Sequence, residues 1–299
     1  MFEQVSIIGC GLIGSSVFRA LKKDGSVKKV ITFDSDKSVS EIIKKENLSD
    51  KIVSSPEEAV SNADLVLIST PLSGFESAVN SIKKHLKSGS ILTDTSSVKK
   101  GADLIIKKLN LKNISWIPSH PVAGTEKSGP TEGLSDLFKD RWTILTPDSK
   151  AKESDVKKVT LFWESMGSKV KIMSAVDHDK ILSITSHLPH VVAYNIVKTA
   201  MGNDEKTNKD VIRYSAGGLR DFTRIAASNP TMWKDIFIDN SDLIIDGINK
   251  FSKSLDEFKK AITEKDSKKL LEIFEKSKEF REAVIKAGQD TDKPGFGRK

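Results

Sequence analysis

The sequence predicts an α/β protein in which an N-terminal Rossmann-type domain with a mainly parallel sheet is followed by an all-helical C-terminal domain. Three observations carry this. Short β-branched runs alternate with amphipathic stretches through residues 1–173, and the strand-like runs stop after Met173. The first run leads straight into the pattern G-x-G-x-x-G at Gly9, Gly11 and Gly14. A βαβα alternation specifies parallel strands with helices on both faces, because a parallel pair needs a crossover long enough to hold a helix.

In chain order the expected strands are VSIIG (5–9), KVITFD (29–34), LVLIST (65–70), SILTD (90–94), ISWIP (114–118), WTILTP (142–147) and SKVKIM (168–173). They are rich in Val, Ile and Thr, which pack well on a pleated surface. Between them, residues 12–23, 75–86 and 98–109 place apolar side chains at helical spacing. The second domain, residues 174–299, reads as helices over ILSITSHLPHVVAYNIVKTAM, DLIIDGINKFSKSLDEFKKAI and SKKLLEIFEKSKEFREAVIKA. A lone copy would leave these apolar stripes exposed, so a homodimer is expected. The final QDTDKPGFGRK reads as a loose tail.

Composition removes several classes. With 37% hydrophobic and 30% charged residues the chain is an ordinary soluble protein. No apolar run approaches the roughly 18 residues of a membrane span, and the start is not signal-like. No membrane partner is expected. Cys10 is the single cysteine, which excludes internal disulfides and suits a reducing cytoplasm, the expected location. The formal charge of +7 arises from lysines interleaved with glutamates, as in DSKKLLEIFEKSKEFREA. That is a solvated helical face, and no nucleic-acid partner is expected.

The glycine pattern follows an expected strand and opens an expected helix, and Asp34 ends the next strand. Each part has a task in dinucleotide binding. Gly9 permits the tight turn, Gly11 lets the backbone approach a pyrophosphate, and Gly14 allows close helix–strand packing. Leu12 and Ile13, which begin the helix, belong to the same set, since the helix N-terminus offers amides and positive dipole to phosphate. Asp34 accepts from ribose hydroxyls and repels a 2′-phosphate, so the expected cofactor is NAD. Ser69, Thr70 and Pro71 form a second loop at a strand's carboxyl end, where open α/β sheets bind ligands. A third, DTSS at 94–97, ends in Ser97, a candidate helix cap and ligand contact.

A dehydrogenase acting on an alcohol needs a base with a pKa near neutrality, and histidine supplies it. Residues 119–129, SHPVAGTEKSG, have no apolar period and read as a stiff polar loop after ISWIP. Pro118 and Pro121 restrain the backbone around His120, the candidate base. The helical half adds His178, His187 and His190; His187 and His190 share a face, but no third ligand stands at helical spacing, so no metal is expected. Pro189 should kink that helix or mark a start. In YSAGGLRDFTRIAASNP, Arg220 and Arg224 are four apart and Asp221 stands three before Arg224, placed to orient it. The guanidinium fork suits a carboxylate.

These motifs together resemble the prephenate/arogenate (cyclohexadienyl) dehydrogenases of tyrosine biosynthesis. The resemblance covers nearly the whole chain through GCGLIGSS, LISTPL, DTSSVKK, SHPVAGTEKSG, TSHLPH and GGLRDFTRIAASNPTMW. It implies NAD-dependent oxidative decarboxylation of prephenate to 4-hydroxyphenylpyruvate, with arogenate as a second substrate. By the same resemblance His120 takes the proton of the C4 hydroxyl and Ser97 holds that hydroxyl in register. Arg224 binds a substrate carboxylate with Asp221 behind it. His190 lines the pocket, Glu126 gates it, Thr125 lies beside it in the same loop, and Trp233 helps close it. The helical domain becomes the dimerisation domain, and the chain is expected to be monofunctional.

Three rival readings remain at this point: an arogenate-selective dehydrogenase, a β-hydroxyacid dehydrogenase, and a non-catalytic NAD-binding regulator. The HPVAGTE loop argues against the second. A regulator has no need of His120, Ser97 and Arg224 together.

Overall fold

A computed structural model of the chain describes residues 2–201 and 205–289. The first five expected strands pair into one parallel sheet: β1 (Gln4–Ile8), β2 (Lys29–Phe33), β3 (Leu65–Ile68), β4 (Ile91–Asp94) and β5 (Ser115–Trp116), in spatial order β2-β1-β3-β4-β5. Around them lie α1 (Leu12–Asp24), α2 (Lys37–Lys45), α3 (Pro56–Val60), α4 (Leu72–Ile82), α5 (Lys99–Leu109) and α6 (Glu153–Ser165).

Successive side chains of a strand point to opposite faces, so each strand feeds two cores. Val5, Ile7, Leu65, Leu67 and Ile91 enter one, with Val17 and Leu21 of α1 and Phe162 and Trp163 of α6. Ile8, Ile31, Val66, Ile68 and Leu92 enter the other, with Phe75 and Val79 of α4 and Ala102 and Ile106 of α5. A fully buried Val, Leu, Ile or Phe contributes about 1.5–3 kcal/mol over an exposed one. Cover on both faces is what a parallel sheet requires.

The remaining strands form a second, three-stranded sheet. β6 (Ser119–Pro121) pairs antiparallel with β7 (Trp142–Leu145), which pairs parallel with β8 (Lys169–Ile172). His120 therefore stands in a strand, opposite Ile144, and not in the loop expected for 119–129. The ladder with β7 makes the strand, and Ser119 fixes where it lies. Its amide donates to Asp94 Oδ1 at 3.0 Å and its hydroxyl to Asp94 O, which anchors the chain beside β4 as a short strand. Pro121 is tolerated because β6 is an edge strand. The polar loop starts only after it.

Beyond β8 come α7 (Ala175–Leu182), a π-helical turn (Ser183–His187), α8 (Leu188–Ala200), α9 (Glu205–Arg213), α10 (Gly217–Thr223), a 3-10 turn (Arg224–Ala227), α11 (Pro230–Asp239), α12 (Ser241–Thr263) and α13 (Ser267–Lys286). Pro189 occupies the first turn of α8, directly after the π-helical turn. Proline has no N–H for the carbonyl four residues back and its ring crowds that carbonyl, and the wide turn absorbs the mismatch.

The chain divides into two compact units, one reaching Ile244 and one starting at Ile245. The first holds both sheets and every candidate site residue. Bonds such as Lys99 N–H to Asp179 and Ser73 N–H to Asp235 join its helices to the strand-bearing part. In the second, the rings of Phe258 and Phe274 pack 6.2 Å apart between α12 and α13. Residues 290–299 of the expected tail lie outside the described residues.

Candidate active site

The winding of the sheet changes direction between β1 and β3, which opens a crevice at their carboxyl ends. The glycine loop leaves β1 there, and Ser69-Thr70-Pro71 leaves β3. Gly9 has φ +95°, and a Cβ on it would meet Ser69 O at 2.6 Å. A Cβ on Gly14 would collide with Gly9 O, whereas one on Gly11 would meet nothing within 4 Å. Two glycines thus serve close backbone approach, and the third leaves open space at the N-terminus of α1. No side chain caps that helix, so its first amides are free to meet an anion. Leu12 and Ile13 form its first turn.

Asp34 follows β2 at the edge of this loop. Its Oδ2 accepts Cys10 N–H at 2.8 Å and its Oδ1 accepts Asp36 N–H at 2.9 Å. Burial and the Asp34 carboxylate push the Cys10 thiol up to about 12, so it stays protonated and packs. The Thr70 hydroxyl is buried without a partner among the described residues, the Ser69 hydroxyl accepts from Thr95 at 3.2 Å, and Pro71 precedes α4 as its N-cap. Open space over Gly11, an uncapped helix start, a fixed acid and an orphaned hydroxyl fit a dinucleotide.

The Ser69–Thr95 bond connects this crevice to the end of β4, where a buried polar cluster holds His120. Asp94 and Lys99 form an ion pair at 2.7 Å with both side chains 0% exposed. Lys99 Nζ also donates to Ser119 O at 2.6 Å, so the pair grips the N–H and the C=O of the residue before His120. His120 is 7% exposed, and its Nδ1 lies 2.8 Å from His178 Nε2. His178 Nδ1 lies 2.7 Å from Asp179 Oδ1. Burial first, then His178, Lys99 and His187, hold the His120 pKa well below the ordinary 6.5. His120 is therefore neutral at pH 7 and able to accept a proton.

Ser97 is half-buried in the turn before α5. The expected cap is not its own: Val98 is the N-cap and offers no side-chain bond, and Asp179 accepts from the Lys99 and Lys100 amides instead. The neighbouring Ser96 hydroxyl is buried without a partner among the described residues.

A second cluster gathers the remaining candidates. His190 stacks on Trp233 with centroids 3.4 Å apart and planes at 21°, and His187 meets the same ring edge-on at 6.2 Å. His190 Nδ1 donates to Ser186 O at 3.0 Å. Burial, reinforced by the Arg224 charge, lowers the His190 pKa, so its Nε2 is a lone pair. Arg224 Nη1 lies 3.7 Å from Glu126 Oε2, which joins the helical half to the loop after β6. Lys127 turns away from this cluster to Glu132 at 2.9 Å, and the Thr125 hydroxyl accepts Lys127 N–H at 3.2 Å, bracing the loop. Asp221 sits on α10, one turn before Arg224. Asn240 bridges the clusters by donating to Asp179 O and to His187 Nδ1, both at 3.1 Å.

Lys99, Ser119, Asp179 and Asn240 were not singled out from the sequence, Asp94 was noted only as part of the 94–97 loop, and His178 only as surplus polarity. Their two local signs are a charged residue at the end of an apolar strand, in ILTD, and a His-Asp pair beside a helix start. Apart from the Asp94–Lys99 pair, five residues apart, the bonds that tie these residues into the site join positions 20 to 80 apart.

A nucleotide crevice linked to a buried neutral histidine is what a dinucleotide-dependent oxidoreductase acting on an alcohol requires, and fold and site together define that class. Residues 17–172 match the model of the prephenate dehydrogenase nucleotide-binding domain, and residues 174–276 that of the prephenate dehydrogenase dimerization domain. The chain is 38% identical over 286 residues to the cyclohexadienyl dehydrogenase of Zymomonas mobilis, covering 95% of this chain and 97% of that one. It is 30% identical over 293 residues to the prephenate dehydrogenase of Bacillus subtilis, covering 95% and 76%. Its fold is similar to the crystal structure of prephenate dehydrogenase from A. aeolicus in complex with hydroxyphenyl propionate and NAD+, with TM-score 0.87 and 31% identity over 95% of this chain and 99% of that one. The chain belongs to the prephenate dehydrogenase family.

Proposed function

We propose that the chain catalyses the NAD-dependent oxidative decarboxylation of prephenate to 4-hydroxyphenylpyruvate, and that it also accepts arogenate. The observation that carries this is His120, buried, neutral and fixed at a position joined by hydrogen bonds to the cofactor crevice. NAD, when bound along Gly9, Gly11 and Gly14 with its ribose at Asp34, supplies the acceptor for the hydride of C4.

His120 takes the C4 hydroxyl proton as that hydride leaves. The ring carboxylate departs as carbon dioxide, its bonding pair completes the aromatic ring, and His120 returns the proton to the phenolic oxygen. Ser97 holds the hydroxyl in register with His120. Arg224 exchanges Glu126 for a substrate carboxylate, Asp221 supports it, and the displaced Glu126 gates the pocket with Thr125 in the same loop. His190 lines the side-chain end, stacked on Trp233, which closes that wall. The exclusion of water by Trp233 and the buried polar cluster strengthens each of these charge interactions.

The working form on this reading is a cytoplasmic homodimer assembled through the helical domain from residue 174 onward. Supporting this are the match to a dimerization domain and exposed apolar side chains such as Val176, Ile212, Phe222 and Phe280. No helix of the described residues is long and apolar enough to cross a membrane. Incubation with NAD and either prephenate or arogenate, followed by absorbance of the reduced cofactor, tests the reading. Turnover on prephenate, alone or with arogenate, supports it; turnover on arogenate alone makes the chain arogenate-selective, and turnover on neither removes the assignment.

A further inference from the structure

Asp179 Oδ1 accepts Lys99 N–H at 2.9 Å, Oδ2 accepts Lys100 N–H at 3.0 Å, and Oδ1 also faces His178 Nδ1 at 2.7 Å. Burial alone would raise the Asp179 pKa, but the bonds from His178 and the two amides prevail and hold it below the usual carboxylate value. An ionised carboxylate only accepts, so His178 Nδ1 carries a proton. Burial outweighs the pull of Asp179 and keeps His178 neutral, which leaves its Nε2 a lone pair. His120 Nδ1, 2.8 Å away, must then be the donor. A neutral imidazole has one N–H, so His120 Nε2 is left as an acceptor, and no group among the described residues bonds it.

We propose that His178 and Asp179 are positioning residues that lock His120 in its Nδ1–H tautomer, aim the lone pair of Nε2 at the substrate hydroxyl, and balance the charge His120 gains when it takes the proton. The inference rests on the reading of His120 as the base and adds which nitrogen acts and what fixes it. Capping α5 needs only the carboxylate and the two amides. It does not need a fully buried ring that turns one nitrogen to Asp179 and the other to His120. The charged and titratable groups around the chain are Lys99 of α5, paired with Asp94 at the end of β4, His187 of the π-helical turn, which Asn240 holds, and Asp239 of α11, whose carboxyl is pushed up by burial and then by the Asp179 charge. Because Asp179 also fixes the start of α5, the lock is tied to the turn that carries Ser97.

The test combines ring ¹⁵N spectra of the full-length protein, labelled at histidine, with kinetics. His120→Asn identifies the His120 signals. The wild type is expected to show protonated Nδ1 and unprotonated Nε2 at His120. Asp179→Asn puts a donor among three donors, so the expected result is an altered His120 tautomer and a kcat lower by about 10²–10⁴-fold, with KM little changed. His178→Gln and His178→Leu leave the α5 amides on Asp179 and cover the case in which Asp179→Asn does not fold. The Gln carbonyl can still accept from His120 Nδ1, so Gln should retain the tautomer and more activity than Leu. An Nε2–H tautomer in the wild type would overturn the proposal, as would folded Asp179→Asn or His178→Leu protein with unchanged tautomer and kcat. Normal turnover by His120→Asn would instead overturn the base reading, whatever the spectra show.

Discussion

Replacing Lys99 with Met removes one charge of the buried pair that holds Ser119, while the side chain keeps nearly its shape. Asp94 is left buried with two backbone donors, the amides of Ser96 and Ser119, and no cation, and Ser119 O loses its donor at 2.6 Å. Breaking a fully buried pair by removing one partner costs about 3–5 kcal/mol. For a unit of this size each kcal/mol moves Tm by roughly 2–4 °C, so a fall of about 6–20 °C is expected. All four tryptophans precede Ile245, so their fluorescence follows the first compact unit alone. The double variant Asp94→Asn/Lys99→Met buries neither charge and should recover part of the loss. Lys99 is also one of the groups that, after burial and His178, depress the His120 pKa. Without it the imidazolium forms at higher pH, so the acid limb of kcat/KM should move upward. A Tm for Lys99→Met within about 2 °C of wild type, or a double variant no more stable than the single, would mean that the buried pair does not hold Ser119 in place.

Arg224→Ala removes a charge-assisted carboxylate contact worth about 1.5–3 kcal/mol, so KM for prephenate should rise about 10–150-fold; an unchanged KM removes Arg224 as the anchor. Asp34→Ala should weaken NAD and narrow its advantage over NADP in competitive binding, since the acid at the end of β2 also loses its bond to Cys10 N–H. A pH series should place the acid limb of kcat/KM below 6.5, because burial keeps His120 unprotonated and the base is lost only as pH falls through its lowered pKa. An acid limb at or above 6.5 would count against that assignment.

The parallel sheet and its crevice were legible because they follow from local order: a β-branched run, three glycines, a helix, then an acid. The two sheets and the strand at Ser119–Pro121 were not. Nothing within SHPVAGTEKSG specifies a strand, and what makes one is the backbone ladder with β7 beyond the loop, with Asp94, 25 residues earlier, anchoring Ser119. The cap of α5 shows the same limit. Ser97 is the residue a local rule selects, yet Asp179, 80 residues away, supplies the acceptor. Arg224 was singled out from its chemistry and spacing and His190 as a pocket residue from the family resemblance, but the Glu126–Arg224 contact and the stacking on Trp233 arise only when the helices after β8 fold back.

Whether His120 is the base is tested by comparing wild type and His120→Asn in the formation of reduced cofactor from saturating prephenate and NAD, with NAD affinity measured separately by titration. In the variant kcat should fall about 10²–10⁴-fold while NAD affinity is retained. Undiminished turnover in His120→Asn, with NAD bound as in the wild type, would contradict that role for His120.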